Sequence, residues 1–169
     1  IAQIILDLSS KNEEVVLKAI KKIRSKGNQQ IIPFLFNTYR NSNAKRVKEE
    51  IEKVLSELKS TATLEPLLEE LNKDDEASRR LALTAIWSSG LIVNDHIDSI
   101  VQAGVNGSFL EAFEALTIIE NLDPPFEEEA ILNSQLILKT YFSENSGTEK
   151  DEILRNIFAL INAINSTIQ

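Results

Sequence analysis

A helical unit that recurs about every 31–34 residues constrains this chain more than any other feature. Its clearest copy is residues 77–90, ASRRLALTAIWSSG. Leu81, Ala82, Ala85 and Ile86 recur there at helical spacing on one face, while Arg79, Arg80 and Thr84 fall outside that stripe and Gly90 stops the helix. Small Ala82 and Ala85 beside larger Leu81 and Ile86 imply a helix that another helix approaches closely. The triplets Ala19/Ile20/Ile23 and Ala82/Leu83/Ile86 stand at matching offsets from Gly27 and Gly90. Ala115/Leu116/Ile119 repeats the pattern 33 residues on, Ile51/Val54 falls between the first two, and Pro33 and Pro66 are also 33 apart.

The spacing predicts helices over 12–26, 29–40, 44–59, 62–72, 76–89, 94–105, 108–122, 126–142 and 148–165, with residues 1–8 as the tail of another. Asn12, Asp75 and Asn94 read as N-caps. Gly27, Gly90 and Gly107 read as stops, Pro124-Pro125 as a break that presets the following helix, and 143–147 as a polar turn. Helix pairs too small to bury their own apolar faces must stack on their neighbours. At 169 residues with 43% apolar content, the chain can build one substantial domain, and no apolar run approaches a membrane span. The absence of cysteine excludes thiolate chemistry and a disulfide frame. The chain opens at Ile1 without Met, which points to a fragment of a longer protein. No targeting segment is visible, and the expected location is cytoplasmic.

The pattern resembles a HEAT or HEAT-like repeat protein. Arg79, Ala82, Ala85, Ile86 and Gly90 match the first-helix motif of that family, and Pro33 and Pro66 match its second-helix proline. Repeat two departs from it, with Glu50 where the others place Ala19, Ala82 and Ala115, which questions tight packing there. The resemblance implies an all-α, right-handed superhelix of about four helix pairs plus flanking helices, one domain over 1–169.

It also implies that second helices line a concave surface. Aligning helix 62–72 with 94–105 gives an outward column of Glu65, Glu69 and Asn72 against Asp98, Gln102 and Val105. In helix 29–40 the same column is Ile32, Phe36 and Tyr39, and in the N-terminal piece it is Ile1, Ile5 and Leu8. Two readings stand for the apolar part: a partner-binding strip, or a one-position shift of register, or missing upstream residues, that buries it.

Other residues carry less. His96 is the sole histidine and cannot supply a metal site without Cys or a second His. Asp74-Asp75-Glu76 and Glu127-Glu128-Glu129 sit at helix starts, where the macrodipole favours acids. Lys18, Lys22 and Lys26 form a stripe flanked by Lys21 and Arg24, which Arg40, Lys45, Arg46 and Lys48 continue. Residues 1–60 hold 12 Lys/Arg against 7 Asp/Glu, whereas residues 61–169 hold 6 against 19. Trp87 follows the Ala-rich stripe and reads as a seam residue or a partner anchor. The last two helices are apolar over much of their circumference, and 148–165 reads as a cap, half a repeat or a self-association face.

The expectation is a non-catalytic scaffold with no catalytic, cofactor or metal residues. It binds a protein or peptide partner along Ile32, Phe36, Tyr39, Glu65, Glu69, Asp98 and Gln102. The alternatives are a HEAT-like nucleic-acid binder or DNA-repair glycosylase, and a structural module of a larger protein. Replacing Phe36 and Tyr39 is expected to abolish capture and spare helicity.

Overall fold

The computed structural model describes residues 1–26 and 28–168. They form ten α-helices and no strand. The Gly27 stop and the side chain of Lys26 lie outside the described residues. The chain divides into two compact units, Ile1–Leu91 and Ile92–Gln169.

The first unit holds α1 (Ala2–Leu8), α2 (Glu13–Lys26), α3 (Ile32–Asn41), α4 (Lys45–Glu57), α5 (Leu64–Leu71) and α6 (Glu76–Ser89). α2 packs on α4 and α4 on α6, while α3 touches both α1 and α5, which gives two layers of helices. The expected triplets lie in the interface: Ala19, Ile20, Ile23, Ala82, Leu83 and Ile86 are all buried. Arg79, placed outside the apolar stripe by its spacing, is buried as well. Repeat two packs despite Glu50. Val47, Ile51, Val54 and Leu55 carry the burial of α4, and Glu50 sits at the edge, 3.9 Å from Arg24.

Local chemistry explains the boundaries. Asn12 and Asp75 cap as expected: Asn12 Oδ1 accepts from the Glu14 amide, and Asp75 Oδ2 from the Ser78 amide. Gly90 closes α6 with φ of 68°, a left-handed conformation that costs glycine no steric clash. A feature not anticipated is a short 3-10 turn before three of the second helices, at Gln29–Ile31, Thr61–Thr63 and Asn94–His96. Asn28 and Ser60 cap the first two through their side chains.

The second unit holds α7 (Ile97–Asn106), α8 (Phe109–Glu120), α9 (Glu128–Glu144) and α10 (Asp151–Ile168). α7 packs on α8 and α9, and α10 on α8 and α9. Gly104 lets α7 and α8 come together, since a Cβ there would stand 3.2 Å from the Ala115 Cβ. Asn94 is not a helix cap. Its buried amide donates to the carbonyls of Asp123 and Pro125, fixing the loop between α8 and α9. That loop delays α9 to Glu128, so Pro125 does not preset the helix start. α9 also runs on to Glu144, past the start of the turn expected at 143–147. α10 buries Ile153, Leu154, Ile157, Ile161 and Ile164 and exposes Arg155, Asn156 and Asn162 on its outer face.

Candidate partner-binding surface

The turns that open α3, α5 and α7 set the register of the second helices. They begin at Gln29, Thr61 and Asn94, so the first interval is 32 residues and the second 33. Glu65 and Glu69 therefore correspond to Asp98 and Gln102, as the sequence alignment has it. The acids Glu65 and Glu69 are exposed, and Asp98 and Gln102 are half-buried at the surface. In α3, however, the equivalents of Glu65 and Glu69 are Pro33 and Asn37, both exposed. The column expected from the sequence sets α3 33 residues before α5, one position away from the observed register, about 100° of rotation.

The shift overturns the apolar anchors. Ile32 and Phe36 are each 0% exposed and belong to the core, so neither offers a side chain to a partner. Tyr39 points into the first-helix layer, in a cleft of about 200 Å³ with Lys48, Glu52, Arg80 and Thr84. Its hydroxyl donates to Glu52 Oε1 at 2.9 Å, and Lys48 Nζ lies 4.9 Å from its ring centroid. Burial first, then the Glu52 carboxylate, pushes the Tyr39 hydroxyl up to about 12. In the N-terminal piece Leu8 is buried while Ile1 is exposed.

An exposed apolar pair does occur on a second helix, but in α9. Leu132 and Leu136, one turn apart, are 47% and 65% exposed. Asn133 between them donates to Asp98 Oδ2 of α7 at 3.3 Å. The bond ties α9 to α7 at Asp98. Both leucines belong to the apolar set of helix 126–142, yet their spacing alone does not tell an outer residue from a buried one. α8 exposes a further set, Phe109, Leu110 and Phe113.

Several of the N-terminal basic residues are paired with acids. Arg24 pairs with Glu50 and Glu57, Arg46 with Glu13 and Glu14, and Lys45 with Glu49. Lys18 and Lys21 border a cleft shared with Glu14, Glu49 and Glu50. Acids thus interleave with the cations across α2 and α4, opposite to the one-signed field a nucleic acid needs. His96 is half-exposed in its 3-10 turn, and Trp87 is exposed on α6. Among the described residues no three His, Cys, Asp or Glu side chains gather as a metal site.

The family model for HEAT repeats matches residues 1–87. The chain belongs to the HEAT-repeat family. No curated protein and no solved structure matches it. The HEAT match spans nearly all of the first unit. The layered packing of α2, α4 and α6 against α1, α3 and α5 is the architecture the match implies. HEAT repeats are commonly protein-interaction scaffolds and typically non-catalytic. No helix among the described residues is long and apolar enough to cross a membrane.

Proposed function

We propose that this HEAT-repeat protein is a non-catalytic scaffold that captures a protein or peptide segment on its second-helix faces. The observation that carries the reading is the exposed Leu132/Leu136 pair on α9, a helix tied to α7 by the Asn133–Asp98 bond. An apolar pair rimmed by polar groups is the usual composition of a recognition patch. In the first unit, Glu65 and Glu69 give α5 an acidic outer face, which contributes selectivity for a basic or neutral segment.

The test is a photo-crosslinking side chain in place of Leu136 in the full chain, with the same group in place of exposed Lys53 on α4 as control. Partner adducts are expected from position 136 and lost when Leu132→Asp is added. Equal yield from both positions, or adducts only from position 53, would refute the assignment. Retained helicity in the Leu132→Asp chain separates lost recognition from lost folding.

A further inference from the structure

α8 is a helix with two apolar faces, and one of them is open. Ala112, Ala115, Ile118 and Ile119 are buried where α8 meets α7 and α10. On the opposite side Phe109 and Phe113 are 43% and 54% exposed, one turn apart, and Leu110 beside them is 63% exposed. Half-exposed Leu116 continues the strip. A helix at a domain surface ordinarily turns a polar face to water, whereas one apolar all round is covered on both sides. The N-terminal end of α8 is firmly built. The Ser108 side chain and Glu111 form a reciprocal capping box, and Lys150 Nζ bonds the carbonyls of Val105 and Gly107 at the preceding turn. The strip therefore stands on a fixed helix.

The charge around it selects the occupant. α8 contains Glu111, Glu114 and Glu120 and no basic residue, with Asp123 just beyond its end. Residues 92–169 hold 3 Lys/Arg against 13 Asp/Glu. Of those three cations, Lys150 is engaged with backbone carbonyls and Arg155 lies 5.9 Å from the Phe142 ring. A second copy pairing through the same strip would bring an equally acidic unit against this one, and like charges across an interface are unfavourable.

We infer that the α8 strip is a docking surface for an amphipathic helix of a partner protein, with an apolar stripe and Lys/Arg on its flanks. The aromatic pair anchors the stripe. The surface is separate from the α9 pair: it lies on a first helix and needs neither Leu132 nor Leu136.

The probes are three synthetic helical peptides sharing one Leu stripe, flanked by Lys/Arg, by Glu or by Ser, titrated against the full chain by fluorescence anisotropy. The basic-flanked peptide is expected to bind at least about tenfold more tightly than the Glu-flanked one, and to weaken with salt. Phe109→Ser with Phe113→Ser should abolish that binding, whereas Leu132→Ser with Leu136→Ser should leave it. Failure of the α8 pair to matter, or equal binding of all three peptides, would overturn the inference. So would a concentration-dependent dimer that the same pair dissociates, which would make a second copy the occupant. Should the α8 substitutions lower helicity, Leu110→Lys on the exposed flank provides the readout, with selective loss of the basic-flanked peptide expected. If only the α9 substitutions remove binding, the proposed function survives and this inference does not.

Discussion

Arg40→Met should destabilise the first unit by more than any other single surface-reaching change on α3. Arg40 Nη1 donates to Glu70 Oε2 at 3.1 Å and to Ser78 Oγ at 2.7 Å, tying α3 to α5 and α6. Lys73 Nζ reaches the other carboxylate oxygen at 2.7 Å. The Glu70 side chain is 2% exposed and that of Arg40 25%, so the carboxylate depends on its partners, whereas the guanidinium retains some water. Stranding a buried charge costs about 3–5 kcal/mol, and the surviving Lys73 bond should hold the Arg40→Met cost to about 2–3 kcal/mol. Glu70→Leu should cost less, about 1–2 kcal/mol, because Arg40 can turn toward solvent and keep Ser78. Combined, the two changes leave an apolar pair with no stranded charge, and their coupling should reach about 1–2 kcal/mol.

Urea unfolding followed by tryptophan fluorescence measures this directly. Trp87 is the sole tryptophan and lies on α6, inside the unit the network ties together. Additivity of the two changes within about 0.5 kcal/mol would show that Glu70 does not rely on Arg40, and the reasoning would fail.

Phe36→Ala should cost about 3–5 kcal/mol of stability in urea, the price of a large buried side chain, instead of sparing the fold as an exposed anchor would. Asp151 accepts from Thr148, Tyr141 and the Gly147 amide, which hold it at about 2, below its ordinary 3.8. Its folded form is thus the weaker acid-binder: the stabilisation is whole above about pH 4, falls away toward pH 2, and should vanish from a pH series on Asp151→Asn. Tyr39, raised to about 12, contributes in the reverse sense, with stability present below pH 10 and lost as the pH climbs toward 12. A tyrosinate absorbance titration should show neither tyrosine ionising near 10 in the folded chain, since Tyr141 is raised too, and Glu52→Gln should lower the Tyr39 midpoint. Gly107→Ala places a Cβ 2.6 Å from the Glu111 Cβ, displacing the capping box. It should cost at least the roughly 1 kcal/mol of Ser108→Ala, and the double change little more than the worse single, measured by urea denaturation with circular dichroism.

The helices were legible because burial in a stacked array is strongly periodic. Ala19, Ala82 and Ala115 mark close crossings in the sequence, and all three are buried in the fold. Helix 76–89 was readable to the residue because its ends carry their own chemistry, Asp75 before and Gly90 after. Contacts that join distant parts of the chain were not legible. Nothing local at Asn94 announces that its amide serves carbonyls of Asp123 and Pro125, and nothing at Tyr39 announces Glu52 and Lys48. The charge of residues 1–60 was readable as a sum but not as an arrangement, since the ion pairs of Arg24 and Arg46 depend on α2 lying against α4.

The surface was harder to read than the core for a geometrical reason. An amphipathic helix tolerates a small error in alignment when only its buried stripe is wanted, because that stripe spans more than 100°. A recognition column is one residue wide, and a single-position slip moves it from water to core. α3 shows the consequence. Its prolines align at 33 residues but its 3-10 turn at 32, and the turn governs because it fixes where the helix starts. Glu65 and Glu69 keep their correspondence with Asp98 and Gln102 because those turns are 33 apart, as the alignment has them. The exposure of Leu132 and Leu136 was not legible for the complementary reason. In a helix whose neighbours Ile131 and Leu138 are buried, an exposed leucine is chemically identical to a core one, and only its angular position separates them. Turn-to-turn spacing, not the most conspicuous residue, is therefore the ruler by which binding columns in such a stack should be assigned.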